Sequence, residues 1–204
     1  LIARVAAAND RTVVVLSCGA PVETPWVDGA AAVLLMHLAG CQGGHACVDL
    51  LFGAQSPCGK LAETWPMTLS DTPLAEAFPV TDRQIHYLES IFTGYRYYDS
   101  ARVEVRFPFG YGLAYTQFAY RNLIVESTNE GYALHFALEN TGTYRAKEIV
   151  QAYVHAADPA VFMPEQELVG FAKVLLDPGE AQHVVLTLDA SSFRYWDDEA
   201  HRWR

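Results

Sequence analysis

The sequence of 204 residues predicts an α/β part followed by an all-β part, the latter a β-sandwich. Two observations carry this prediction. Residues 12–17 (TVVVLS) form a continuous β-branched apolar run, which is typical of a strand buried on both faces of a parallel sheet. Beyond residue 118, apolar residues recur at every second position, as in strands with one buried face. The change between the two patterns falls at residues 107–118.

The pattern of the first part predicts a strand followed by helices. The strand at 12–17 ends in the turn residues 19–21 (GAP). Asp28 is placed to cap a helix whose apolar stretch covers residues 30–38. A second helix is predicted over residues 45–52, with Gly53 suited to its C-terminal cap. A buried strand followed by helices is the order expected in an α/β fold.

The region between the helices and the change of pattern is irregular. Residues 66–90 form a long stretch with several prolines and little periodicity. Stretches of that length in compact domains are usually functional or lie across a surface. The aromatic run at residues 91–98 (IFTGYRYY) predicts an extended segment, because aromatic residues favour strands.

The second part predicts a β-sandwich because several short strands follow one another at regular spacing. Turn sequences at residues 140–142 (NTG) and 177–180 (DPGE) separate some of them. The predicted strands lie near residues 118–126, 132–140, 147–156, 167–176 and 183–189.

Composition excludes several classes of protein. The chain has 14 Lys and Arg against 24 Asp and Glu, a formal net charge of −10. Without a basic surplus, a nucleic-acid binder is not expected, nor a protein that binds anionic membrane surfaces. The longest apolar candidate, residues 30–40, is far shorter than the roughly 20 residues of a membrane span.

The motifs of metal and cofactor sites are missing. The four cysteines do not form the paired spacing of a zinc site, and the seven histidines are scattered. We expect reduced thiols, with a disulfide as the alternative. No P-loop or nucleophile elbow occurs, and the sequence at residues 110–113 (GYGL) lacks the third glycine of a dinucleotide fingerprint. The sequence therefore predicts neither a metal nor a cofactor.

The residues that attract attention lie at positions 87–99 (YLESIFTGYRYYD). One carboxylate, Glu89, and one guanidinium, Arg96, stand there among four tyrosines. Aromatic faces beside fixed polar groups suit a polyhydroxylated ligand such as a sugar. The alternative is an aromatic edge in which Arg96 pairs with Asp99 or another acid.

The sequence resembles the C-terminal part of glycoside hydrolase family 3, the β-glucosidase-like family. The resemblance covers nearly the whole chain in order, and the combination of motifs is specific. It rests on residues 13–26 (VVVLSCGAPVETPW), 38–46 (LAGCQGGHA), 49–53 (DLLFG), 56–66 (SPCGKLAETWP), 89–99, 107–118 (FPFGYGLAYTQF), 139–142 (ENTG), 147–153 (KEIVQAY), 167–171 (ELVGF) and 177–180.

The resemblance implies an α/β sandwich domain followed by a fibronectin type III-like domain. We assign residues 1–113 to the C-terminal part of the first, with the connector, and residues 114–204 to the second, which is expected to lack its last strand. Members of the family are retaining glycosidases with an Asp nucleophile on a separate (β/α)₈ barrel. Their Glu acid/base usually lies in a loop of the α/β domain. Neither has a match here, so no catalytic residue is assigned, and Glu89 and Arg96 are candidates for the substrate-facing edge.

Two functions stay open at this stage. The chain is either the C-terminal portion of a retaining exo-acting β-glycosidase, inactive alone, or a non-catalytic carbohydrate-binding or structural module. The expected partners are a carbohydrate substrate and the missing barrel domain, and the segment alone is expected to form homo-oligomers or to aggregate. The sequence does not distinguish glucose from xylose, arabinose or N-acetylglucosamine. Cellular location stays open, with a slight preference for the cytoplasm.

Overall fold

A computed structural model describes residues 1–75, 77, 84 and 86–204. They divide into two compact units. The first comprises Leu1–Gln55 and Leu61–Tyr111, and the second Ser56–Lys60 and Gly112–Arg204. The predicted fold class is confirmed, since the first unit mixes helices with parallel strands and the second consists of antiparallel strands. Within these ranges, no helix is long and apolar enough to cross a membrane.

The first unit begins with two helices and two parallel strands. The predicted strand at 12–17 and the predicted helix at 45–52 are both present. The expected burial of the strand on both faces is wrong within the described residues, because Val13 and Val15 are 46% and 42% exposed. The elements are α1 (Ile2–Ala8), β1 (Val13–Leu16), β2 (Ala32–Leu35) and α2 (Gly43–Leu51).

The helix predicted over residues 30–38 is wrong, because this stretch contains strand β2. β2 pairs in parallel with β1, from Val13 opposite Ala32 to Leu16 opposite Leu35. A short apolar run is compatible with either element, and the neighbouring strand decides between them. Asp28 lies in a short 3-10 helix, Val27–Gly29, rather than at the start of an α-helix.

The rest of the first unit contains a small antiparallel pair and a third helix. Strand β3 (Trp65–Pro66) pairs with β4 (Val105–Phe107), and the Trp65 and Phe107 rings meet edge to face. A 3-10 helix, Leu69–Asp71, follows β3, and helix α3 (Tyr95–Ala101) precedes β4. The stretch predicted at residues 66–90 falls partly outside the described residues.

The extended segment predicted over residues 91–98 is wrong from residue 95 onward, where α3 begins. Gly94 turns the chain with a φ of +58°, a conformation that glycine adopts without strain. Tyr95 and Tyr98 are then three residues apart on one side of the helix, and both are buried. Packing of these two rings outweighs the preference of aromatic residues for strands.

All five strands predicted for the second unit are confirmed, within a few residues at their ends. A short 3-10 helix, Ala190–Phe193, and a small hairpin follow them. The strands are β5 (Phe118–Thr128), β6 (Gly131–Asn140), β7 (Ala146–Val154), β8 (Glu167–Leu176), β9 (Ala181–Asp189), β10 (Trp196–Asp197) and β11 (Arg202–Trp203).

The second unit is a sandwich of two antiparallel sheets. One sheet has the strand order β5-β6-β9, and the other contains β7 and β8. The alternating residues of these strands point inward and form the core, as the period of two predicts. The buried core residues are Phe136, Leu138, Val150, Val174, Leu176, Val184 and Leu186.

Residues 56–60 belong to the second unit, although the chain on both sides of them, residues 1–55 and 61–111, belongs to the first unit. The Ser56 hydroxyl accepts a hydrogen bond from the backbone N–H of Tyr115 at 2.9 Å. The Lys60 ammonium donates to the carbonyl of Gly112 at 2.8 Å and lies 3.3 Å from the Glu148 carboxylate. Both charged side chains of this pair are mostly buried.

Candidate functional site

Glu89 lies in a tight turn of the first unit. The backbone N–H of Phe92 donates to the Glu89 carbonyl at 2.8 Å, and that of Ser90 donates to the Tyr87 carbonyl at 3.3 Å. Ser90 has a positive φ of 51°. The turn leaves the Tyr87 side chain 89% exposed, whereas Glu89 is half-buried. An exposed ring and a partly sheltered carboxylate therefore lie two residues apart.

Arg96 is placed by the first turn of α3. Its guanidinium carbon lies 5.1 Å from the centre of the Tyr95 ring, within the range of a cation–π contact. The Tyr95 ring in turn stacks on Phe109, with ring centres 4.6 Å apart. Arg96 therefore lies over a ring that is itself buried and stacked on a second ring.

Tyr98 lies within electrostatic range of two carboxylates, those of Glu89 and Asp71. The side chain is buried, and burial is the main cause that raises the pKa of its phenol. Tyr97, Asp71 and Glu89 raise the pKa further, because a negative charge on any of them opposes a phenolate at this position. The structure thus brings the Glu89 and Asp71 side chains into electrostatic reach of one buried hydroxyl.

Asp71, whose carboxylate acts on Tyr98 together with Glu89, is a residue that sequence reasoning missed. Its carboxylate accepts hydrogen bonds from the backbone N–H of Thr68 at 2.8 Å and from the Thr68 hydroxyl at 3.0 Å. This is the capping box of the 3-10 helix that follows β3. The spacing Thr68-x-x-Asp71 was the signal that locates the turn, although it does not reveal the neighbouring Tyr98.

The described side chains of this region offer hydrogen bonding and aromatic contact. The carboxylates of Glu89 and Asp71 can accept hydrogen bonds from hydroxyl groups, and Arg96 can donate them. Within the described residues, no group of three His, Cys, Asp or Glu side chains could hold a metal ion. The sequence predicted reduced thiols, with a disulfide as the alternative. All four cysteines are free thiols in the structure: Cys18, Cys41, Cys47 and Cys58.

The two units define a protein that joins an α/β unit to a fibronectin type III-like sandwich. Residues 1–115 match the glycosyl hydrolase family 3 C-terminal domain, and residues 148–204 match the fibronectin type III-like domain. The chain belongs to glycosyl hydrolase family 3 and corresponds to the C-terminal part of its β-glucosidases. The resemblance predicted from the motifs is confirmed.

Relatives with known names match the entire chain. It is 44% identical to the thermostable beta-glucosidase B of Acetivibrio thermocellus, over 100% of this chain and 27% of that protein. It is 40% identical to an exo-alpha-(1->6)-L-arabinopyranosidase of Bifidobacterium longum, with the same coverage of both chains. A crystal structure of a family 3 beta-glucosidase from Bifidobacterium adolescentis superposes with a TM-score of 0.95 at 40% identity, covering 99% of this chain and 30% of that one.

Proposed function

We propose that these residues are the C-terminal portion of a retaining, exo-acting β-glycosidase that hydrolyses terminal β-linked sugars. The observation that carries the proposal is the 44% identity to a β-glucosidase across the whole chain. The chain spans only 27% of that relative, so the activity belongs to a larger parent protein. In that parent, residues 1–204 support and shape the active site.

The chemistry requires a nucleophile and an acid/base, and neither is assigned to a residue of this chain. Retaining hydrolysis uses two carboxyl groups about 5 Å apart, a nucleophile and an acid/base. In the proposed parent, the nucleophile comes from a barrel domain and the acid/base from a loop outside these residues. The partners of this portion are that barrel and a carbohydrate substrate, and nucleic acid and membrane are not among them.

Within the chain, Glu89 and Arg96 are the proposed substrate-facing residues. A half-buried carboxylate accepts a sugar hydroxyl more strongly than an exposed one, because fewer waters compete for it. Arg96, resting on the Tyr95 ring, is the matching donor. The exposed Tyr87 ring provides an apolar face for a pyranose ring.

The test uses the full-length parent protein and an aryl β-glucoside. We expect Glu89→Gln to raise KM roughly 10- to 100-fold with little change in kcat, since a hydrogen bond to a charged group contributes about 1.5–3 kcal/mol. Glu104→Gln, an exposed glutamate of the same unit, is the matched control and should leave both constants unchanged.

Two outcomes would contradict the assignment. A loss of kcat by several orders of magnitude at unchanged KM would make Glu89 catalytic, and unchanged kinetics would remove it from the substrate-facing edge. A parent without glycosidase activity that still binds oligosaccharides would favour the alternative, a non-catalytic module. Because one relative is named an arabinopyranosidase, aryl α-L-arabinopyranoside belongs among the substrates assayed.

The proposed division into domains is 1–113 and 114–204. The two compact units, which separate after Tyr111, support it, and residues 56–60 are then a segment of the first domain that packs in the second unit. Separate expression of residues 114–204 with and without a peptide of residues 56–60 tests the division.

A further inference from the structure

Two tryptophans lie exposed on the hairpin β10–β11 of the second unit. Trp196 stands opposite Trp203, and the two residues are 47% and 62% exposed. The flanking pair, Tyr195 and Arg204, exchanges both backbone hydrogen bonds at 2.9 Å. Because hydrogen-bonded and non-hydrogen-bonded pairs alternate along an antiparallel ladder, the tryptophans occupy a non-hydrogen-bonded pair, in which side chains lie closest. Their rings meet edge to face, with centres 5.7 Å apart.

Polar contacts that do not involve the rings hold the hairpin in shape. The Asp197 carboxylate accepts hydrogen bonds from the backbone N–H groups of Glu199 and Ala200 at 3.0 and 2.9 Å. The same carboxylate pairs with the Arg204 guanidinium at 2.7 Å, and the Asp197 side chain is only 16% exposed. The backbone that carries both rings is therefore ordered before a ligand arrives. Binding then loses little free energy to ordering of the protein.

The exposed aromatic area is too small for a protein partner. A tryptophan side chain has a surface of at most about 250 Å², so the exposed fractions of the two leave no more than roughly 270 Å². Stable protein interfaces need about 800 Å² from each partner. Residues 198–202, which join the two tryptophans, are exposed and are charged or polar except for Ala200, so the apolar surface does not continue along the turn. The surface matches a ligand of one or two rings.

The chemistry of the surface favours a neutral sugar over a nucleotide base. Both have a flat face that stacks on an aromatic ring, but a nucleic acid is a polyanion, and this chain carries a net charge of −10. In a β-linked glucopyranose, the axial C–H bonds form an apolar face and the hydroxyl groups lie around the rim. The apolar face stacks on a tryptophan ring, and the hydroxyl groups bond to water or to charged side chains of the adjoining turn.

We propose that Trp196 and Trp203 form a binding surface for a pyranose ring of a neutral β-linked oligosaccharide, in a different unit from Glu89 and Arg96. The sugar is held there without a change in any covalent bond. A second binding surface on the same polypeptide raises the local concentration of oligosaccharide between rounds of hydrolysis. The choice of a β-linked sugar as the ligand rests on the proposed function, whereas the exposure of the two rings does not.

The test measures binding of a thio-linked cellotetraoside, whose sulfur linkages resist hydrolysis, to the full-length parent by isothermal titration calorimetry. We expect two sites per chain, one of them at the hairpin. Trp203→Ala should weaken that site roughly tenfold or more, because truncation of a contacting tryptophan typically removes that much affinity. The matched control, Phe171→Ala, removes a ring of the same unit that is 69% exposed, and it should weaken neither site. If Trp203→Ala does not fold, Trp203→Phe replaces it, with a smaller loss at the same site, because a ring pair remains.

Unchanged affinities in the Trp203 variant would overturn the proposal. Weakening of one and the same site by Trp203→Ala and by Glu89→Gln would also overturn it, because the hairpin would then belong to the active site. Self-association of the parent that Trp203→Ala abolishes, with no effect on sugar binding, would make a second copy the occupant and would count against it equally. A parent without glycosidase activity that has a single site, weakened by Trp203→Ala, would contradict the proposed function and support this inference.

Discussion

Asn140 holds together the turn between β6 and β7, and its removal should destabilise the second unit strongly. The side chain is fully buried. Its amide nitrogen donates to the carbonyls of Tyr144 and Leu176 at 2.7 and 3.1 Å. Its amide oxygen accepts from the Thr116 hydroxyl at 2.6 Å and from the Gly142 N–H at 3.2 Å. Asn140→Ala removes all four hydrogen bonds at once.

The expected magnitude follows from these four bonds. Each contributes about 1 kcal/mol net, and a buried partner left unsatisfied costs roughly 1–3 kcal/mol. Leu176 is itself buried, so its carbonyl cannot readily turn to water. We therefore expect Asn140→Ala to lower the free energy of unfolding by about 3–5 kcal/mol, a large fraction of the roughly 5–15 kcal/mol typical of a domain.

Urea denaturation followed by circular dichroism measures this loss. The matched control is Asn129→Ala, an exposed asparagine in the turn between β5 and β6, which should change the free energy by less than about 0.5 kcal/mol. A loss below about 1 kcal/mol for Asn140→Ala, with the same control, would refute the network as a major source of stability.

Gly112→Ala should destabilise the second unit, because a Cβ there would collide with the Gly59 carbonyl; thermal melts measure this. Burial and the nearby Glu148 carboxylate raise the pKa of Tyr120. The contribution of Tyr120 to stability is therefore present below about pH 10 and is lost as the pH rises above that value. Between pH 8 and 11, the urea midpoint should fall less for Tyr120→Phe than for the unchanged protein. Residues 1–204 alone should not hydrolyse aryl β-glycosides, measured by release of the aryl group.

Gly44→Ala, where no atom meets the new Cβ, controls for Gly112→Ala, and equal melts would contradict the collision. Identical alkaline profiles for Tyr120→Phe and the unchanged protein would exclude Tyr120 from the pH dependence. Turnover by residues 1–204 that disappears in Glu89→Gln would show that the chain contains a catalytic carboxylate.

The strands of the sandwich could be predicted because each buries one face. In β9 every second residue is buried from Val184 to Leu188, and this period is visible in the sequence. The α/β unit was harder to predict. β2 contains only four residues, too few to show a period, and its identity depends on pairing with β1, 19 residues away. The helix α3 depends on the burial of Tyr95 and Tyr98 and on their contacts with other rings.

The candidate site was only partly predictable, for a related reason. Glu89 and Arg96 share one short segment with the tyrosines, so composition alone located them. Asp71 lies 18 residues before Glu89 and meets Tyr98 only in the folded chain. The packing of residues 56–60 in the second unit likewise rests on the Lys60–Glu148 ion pair, whose members are far apart in sequence.

The central claim is that this chain is part of a retaining β-glycosidase, and the anomer released first by the parent protein tests it most directly. The full-length protein is mixed with an aryl β-glucoside, and the anomeric protons of the product are followed by NMR from the first minute. Retention predicts that the β-anomer appears first and that the α-anomer grows later by mutarotation. First appearance of the α-anomer, or no hydrolysis of any aryl glycoside tested, would contradict the claim.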